Sequence, residues 1–226
     1  MKLNLGCGNR VMDGYVNIDF HPASDKVQQG DITELCYPSG SVEHIIIFHT
    51  LEHLTKDQAE ELIVAMVFWL TSGGILEIEM PDRAKCIKCM EEGRTENKGR
   101  SKGGIRNVGA SGILGGAPHK KVEYHTWVCK NAELILEKTR EFHYFPQELI
   151  PEEFMDVHSP VGWHHRYIWT EQEIIDVLES IGTLRTVVSE IPTTHGRRAH
   201  RDMRVVARKR ELVNFMIPIF SKEMCI

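Results

Sequence analysis

Residues 44–80 limit the fold more than any other part of this chain. His44-Ile45-Ile46-Ile47-Phe48 is β-branched and apolar on both faces, and Ile75-Leu76-Glu77-Ile78-Glu79-Met80 alternates as a second strand closed by Pro81-Asp82. Continuous apolar strands belong to parallel sheets covered on their faces. Between the two runs Thr55 can cap a helix, Asp57 suits the positive end of its dipole, and Leu62, Met66, Trp69 and Leu70 recur on one face until Ser72-Gly73-Gly74. A strand, a helix and a strand in that order require a parallel pair with a right-handed crossover. The chain is therefore read as α/β.

The flanking sequence extends the sheet. Lys2-Leu3-Asn4-Leu5 and Tyr15-Val16-Asn17-Ile18-Asp19 read as short strands with little room for a helix between them, and Lys26-Val27 leads into a third ending at Gly30-Asp31. Trp163 to Trp169 is strand-like, Thr170 with Glu173 forms a capping box for a helix through Leu178 and Ile181, and Thr183–Ile191 with Met203–Ala207 read as a closing hairpin. Residues 93–118 interleave glycines with Arg94, Lys98, Arg100, Lys102 and Arg106 and read as an inserted loop; order resumes over Val122 to Phe142, where Asn131 can cap a helix. The expected organisation is a single domain over 1–210, with 93–145 covering a site and 211–226 an apolar tail. That tail, with Leu212, Val213, Phe215, Met216, Ile217, Ile219 and Phe220, could pair two copies of the chain.

A formal net charge of -5 over 226 residues predicts no general attraction to nucleic acid or anionic lipid. Nothing behind Lys2 resembles a signal peptide and no stretch reaches the length of a membrane span, so a cytoplasmic protein without a membrane partner is expected. The six cysteines then read as reduced thiols. Cys86 and Cys89 have metal-ligand spacing, and His125 and Cys129 could complete a set, but a lone CxxC is a weak signal and no metal is expected.

The chemistry begins at Leu5-Gly6-Cys7-Gly8-Asn9, where small residues at a strand end let backbone approach a ligand closely. A dinucleotide fingerprint would need a third glycine and a following helix for the pyrophosphate, and both are missing. Asp19 ends the second strand, where a carboxylate can accept two ribose hydroxyls; Asp31 ends the third, where an acceptor can take an adenine amine while Ile32 packs on the ring. The pattern favours a nucleoside over a dinucleotide.

LNLGCGN, GYVNIDF, GDI, His49-Thr50-Leu51-Glu52-His53-Leu54 and GGILEIEMPD, taken together, resemble a class I, Rossmann-like methyltransferase of the type 11 kind. The resemblance covers residues 1–82 by motif and 163–208 by topology. It implies a three-layer, mostly parallel seven-stranded sheet of order 3-2-1-4-5-7-6 with the last strand antiparallel, here with reduced first helices and the inserted Gly/Lys/Arg-rich loop. It implies S-adenosyl-L-methionine as cofactor, lying against Leu5, Gly6, Cys7, Gly8, Asn9, Asp19, Phe20, Asp31, Ile32, His49 and Leu51. The implied activity is methyl transfer to O or N of a polar small molecule, with a sugar or glycan hydroxyl as the leading acceptor. Two basic patches, the insertion and the stretch holding Arg197, Arg198, Arg201, Arg204, Arg208, Lys209 and Arg210, motivate nucleic-acid methylation as an alternative; a non-catalytic cofactor-binding or assembly module is a further one.

Methyl transfer from a sulfonium needs alignment and, for a hydroxyl or amine, a base. Histidine suits the task. His49 at the fourth-strand tip is the first choice, followed by His125 and His165, with His119 and His164 as further candidates. Asp82 is placed to contact the acceptor. Glu52 and His53 are expected to cap a helix or face solvent, and His164 and His165 to point to opposite faces of a strand.

Overall fold

A computed structural model describes residues 1–97, 105–115, 121–154, 164–192 and 200–211. One seven-stranded sheet runs in the order β3-β2-β1-β4-β5-β9-β8, built from β1 (Lys2–Leu5), β2 (Val16–Asp19), β3 (Gln28–Gln29), β4 (Val42–Phe48), β5 (Leu70–Pro81), β8 (Leu184–Glu190) and β9 (Asp202–Lys209). The first five strands pair in parallel, and β9 runs antiparallel to both β5 and β8. Counting only this sheet, the order is 3-2-1-4-5-7-6, as expected.

Helix α1 (Lys56–Trp69) opens with a capping box between Thr55 and Gln58. It does not stop at Ser72-Gly73-Gly74. It ends at Trp69, and those residues begin β5, with Gly73 left-handed near the shift in register against Val42 and His44. The bulge absorbs glycines that a sequence reading assigns to a helix terminus. Helix α6 (Glu171–Ser180) carries the expected Thr170–Glu173 box. Leu62, Ile63, Met66, Ile174 and Leu178 from these two helices bury against Ile45, Ile47, Leu76, Ile78, Val205 and Ala207 of the sheet. Residues of opposite parity form a polar row: Tyr15 Oη meets His44 Nδ1 at 2.8 Å, His44 Nε2 meets Glu77 at 2.9 Å, and Arg204 bonds both Glu77 and Glu190.

The insertion is not an extended loop where it is described. After α2 (Arg83–Glu91), which precedes it, it contains a hairpin of β6 (Thr95–Asn97) and β7 (Ile105–Asn107), then α3 (Val108–Leu114), α4 (Lys121–Lys130) and α5 (Ala132–Phe142). These bury a second apolar cluster, with Met90, Ile113, Tyr124, Val128, Ile135, Phe145 and Phe154. Two of its glycines are contact residues: a Cβ on Gly109 would lie 2.2 Å from the Cys86 carbonyl oxygen, and one on Gly112 2.4 Å from Cys86 Sγ. Gly109 and Gly112 mark the close approach of α2 and α3.

Residues 164–169 are not a strand. His164 makes an isolated bridge to Gly115, and the segment lies between the insertion and the sheet, with Arg166 N–H donating to the Glu52 carbonyl at 2.8 Å. Trp163, His119, Arg197, Arg198 and the tail from Leu212 lie outside the described residues.

Candidate functional site at the carboxyl ends of the strands

No helix separates β1 from β2, and two buried asparagines hold the connection instead. Asn4 Nδ2 donates to the Arg10 carbonyl and to Asn17 Oδ1, both at 2.8 Å. Asn17 Oδ1 also accepts from Met12 N–H, and its Nδ2 reaches the carbonyls of Met12 and Tyr15. The pair satisfies backbone groups that a helix would otherwise satisfy internally. Neither residue is singled out by the sequence reading; paired Asn at matching positions of adjacent parallel strands, Asn4 opposite Asn17, is the signal that was there to find.

The glycine turn is shaped by two different constraints. Gly6 is left-handed, φ 61°, and a Cβ there would fall 2.2 Å from Thr50 Oγ1. Gly8 is left-handed as well, φ 54°, but a Cβ would meet nothing within 4 Å. Gly6 packs the turn down on the β4 tip, whereas Gly8 leaves open space above it. Asp19 fixes that geometry: Oδ2 accepts from Gly8 N–H at 2.7 Å and Oδ1 from His21 N–H at 2.8 Å. A carboxylate has about four lone-pair positions, so each oxygen retains capacity for a further donor. Burial, with Asp19 beside it, pushes the Cys7 thiol up to about 11. Asp31 Oδ1 accepts from both Thr33 N–H and Thr33 Oγ1, and among the described residues no hydrogen bond reaches Oδ2. Leu5, Ile32 and Leu51 are buried in the main core, so they form the floor of this region, while Asn9 is exposed and Phe20 half-buried with its ring edge-on to His21.

His49 follows β4 directly and is left-handed, φ 53°. For a residue with a Cβ this conformation costs roughly 1–2 kcal/mol and persists where surrounding contacts impose it. Here the contact is His49 N–H donating to the Glu79 carbonyl at 2.7 Å. The ring stands among carboxylates: Nδ1 is 3.4 Å from Glu52 Oε1, and Nε2 is 3.5 Å from Asp202 Oδ2 and 3.9 Å from Glu79 Oε1. These acids come from the turn after β4, from β9 and from β5, and their side chains are 0–1% exposed against 17% for His49.

Glu52 therefore does not face solvent. Burial alone would push its carboxyl up, but the hydrogen bond from His49 and the neighbouring rings of His165, His49 and His53 outweigh it and hold it below its ordinary range. His53 is half-buried, its ring 4.9 Å from that of His165 and edge-on. His165 Nδ1 bonds the Gly112 carbonyl at 2.8 Å, and its Nε2 lies 3.9 Å from Glu52. Burial, with His53 alongside, lowers His165 to about 3, so its ring is neutral at physiological pH. His164 is buried beside it rather than on an opposite strand face, with its ring nitrogens at the carbonyls of Leu114 and Phe154. His125 lies on α4 with its ring against Tyr124. Asp82 is buried and caps α2 through Lys85 N–H, and burial raises its carboxyl.

Two further groups of residues have their partners within the chain. The thiols of Cys86, Cys89 and Cys129 point to the carbonyls of Arg201, His200 and Ile105 respectively, so they do not converge with His125. Among the described residues of the basic stretch, Arg201 pairs with Asp202 at 2.8 Å, Arg204 with Glu77, and Lys209 Nζ donates to the carbonyls of Val67, Phe68 and Leu70 at the end of α1.

A parallel sheet of order 3-2-1-4-5-7-6, with a glycine turn after β1 and acids ending β2 and following β3, decides the architecture. This strand order is the one that the resemblance to class I methyltransferases implies. No family model matches the sequence, and no curated protein matches it. Solved structures similar to the chain include an S-adenosylmethionine-dependent methyltransferase from Archaeoglobus fulgidus, 13% identical over 92% of this chain and 85% of that one, TM-score 0.49. Another is an S-adenosylmethionine-dependent methyltransferase from Mesorhizobium loti, 13% identical over 92% and 90%, TM-score 0.44. A third is 1,6-didemethyltoxoflavin-N1-methyltransferase from Burkholderia thailandensis, with bound 1,6-didemethyltoxoflavin and S-adenosylhomocysteine, 12% identical over 93% and 71%, TM-score 0.46.

Proposed function

We propose that this chain is an S-adenosylmethionine-dependent methyltransferase acting on O or N of a polar small molecule, with a sugar hydroxyl as the leading acceptor. The observation that carries the reading is the open, left-handed Gly8 after β1, tied to Asp19 at the end of β2, with His49 at the end of β4 on the other side of β1. A Cβ-free backbone admits a ligand at contact distance. Asp19 would hold the ribose hydroxyls and Asp31 Oδ2 the adenine amine. When bound, the cofactor supplies an electrophilic methyl group on sulfonium.

The rest falls to the chain's own side chains. His49 would take a proton from the acceptor, with Glu52 orienting its ring through Nδ1 and the charge gained resting among Glu52, Glu79 and Asp202. His165, held neutral and bonded to Gly112, supports Glu52 instead of serving as the base. The folded insertion, joined to this cluster through residues 164–166, would cover the acceptor and exclude water. Because Arg201, Arg204 and Lys209 are engaged within the protein, the described basic residues lend no support to nucleic-acid methylation.

Isothermal calorimetry with S-adenosylhomocysteine tests the reading, followed by transfer of label from methyl-labelled S-adenosylmethionine to a panel of polyols and amines. Binding of the nucleoside and label in an acceptor are expected. A chain that binds no S-adenosylhomocysteine is not such an enzyme, and binding without transfer across the panel supports the cofactor-binding module.

A further inference from the structure

Glu52, His53 and His165 bring one ligand atom each to within 4.8 Å of one another. Among the described residues, Glu52 Oε2 and His53 Nδ1 are buried without a hydrogen-bond partner, and His165 Nε2 lies 3.9 Å from Glu52 Oε1. His165 Nδ1 meets the Gly112 carbonyl at 2.8 Å, so Nδ1 carries the proton there and Nε2 is left to face Glu52. Leaving buried polar atoms such as these without partners is unfavourable. A metal ion removes that cost.

We infer that Glu52, His53 and His165 bind a zinc-class divalent cation that clamps the insertion to the tip of β4. Two imidazoles and one carboxylate, with His165 oriented by the hydrogen bond at its other nitrogen, make a set that suits zinc and its neighbours rather than magnesium or calcium. Around a tetrahedral ion with bonds near 2 Å, ligand atoms stand about 3.4 Å apart; His165 Nε2 and Glu52 Oε1 already stand at 3.9 Å. The ligands come from two parts of the chain: Glu52 and His53 from the turn after β4, and His165 from the segment following the insertion, where α3 carbonyls hold it. The cation would also fix the carboxylate that orients His49. None of this depends on the identity of the cofactor.

The test uses the full chain freed of any affinity tag. Elemental analysis after dialysis, with zinc then cobalt added back to the chelator-stripped protein, is expected to show stoichiometric metal and a raised melting temperature. The cobalt form is expected to show visible ligand-field bands with no thiolate charge-transfer band. His53→Gln and His165→Gln are expected to weaken binding by more than about tenfold, whereas the double variant Cys86→Ser, Cys89→Ser is expected to bind as the natural chain does. The proposal falls if the natural chain takes up no metal. It falls equally if a thiolate band appears, if the cysteine variant loses the metal, or if both histidine variants, once shown folded by circular dichroism, retain it.

Discussion

His49 Nδ1 lies 3.4 Å from Glu52 Oε1, across a single turn formed by Leu51–His53, while the opposite ring nitrogen lies 3.5 Å from Asp202 on β9. The ring is thereby held by a local contact on one side and by a contact more than a hundred and fifty residues away in sequence on the other. Its left-handed backbone makes that geometry available.

Replacing His49 with alanine should leave S-adenosylhomocysteine affinity unchanged and slow methyl transfer by roughly 100-fold or more, the scale of a lost general base. Single-turnover kinetics alongside calorimetry would separate the two quantities, and transfer at the natural rate would remove His49 as the base. Because φ is 53° at this position, His49→Gly should be more stable to urea than His49→Ala by roughly 1 kcal/mol.

Asp19→Ala should weaken S-adenosylhomocysteine binding by roughly 1–3 kcal/mol, the range for lost charged hydrogen bonds. The same carboxylate anchors Gly8 N–H and His21 N–H. Part of the loss therefore comes from a loosened turn, and Asp19→Asn, which preserves one acceptor, should fall between the two. Equal affinities in all three proteins would sink the ribose assignment.

The two glycines of the turn should fail in different ways. Gly6→Ala places a methyl group against Thr50 at 2.2 Å in a left-handed residue and should destabilise the fold by roughly 3 kcal/mol or more. Gly8→Ala meets open space, so it should lower stability by only about 1 kcal/mol yet abolish most cofactor affinity. Thermal melts with and without S-adenosylhomocysteine report both numbers, and a Gly8→Ala protein still stabilised by the ligand as the natural one is would contradict the cradle.

Glu77 supplies an acid-dependent part of stability. The hydrogen bond from His44, aided by Arg204, outweighs burial and holds its carboxyl down at about 2, against an ordinary value near 4.5. A folded value below the unfolded one means the contribution is complete above about pH 4.5 and is lost as the pH falls toward 2, amounting to roughly 2–3 kcal/mol at most. Urea titrations from pH 6 to pH 3 should show Glu77→Gln less stable at the upper end and converging with the natural chain at the lower. Parallel pH profiles for the two proteins would exclude the assignment.

Local pattern was enough for the sheet and its crossover. The doubly apolar run at Ile45 to Ile47, the caps at Thr55 and Thr170, and the Gly6-Cys7-Gly8 turn each express a preference of a few neighbouring residues, and each appears in the fold where the pattern put it. The insertion misled for the opposite reason. Gly109 and Gly112 look like loop residues until α2 is packed against them, because a helix-helix contact leaves no periodic trace in a short glycine-rich segment.

By itself the sequence determined an α/β chain whose parallel strands end in a glycine turn and two acids, since strand periodicity and backbone permissiveness are properties of adjacent residues. Tertiary structure alone decided the surroundings of His49 and Glu52. Glu79, Asp202 and His165 reach them from β5, from β9 and from beyond the insertion, and strand order, which no local pattern encodes, is what brings those distant carboxylates and rings to one buried point.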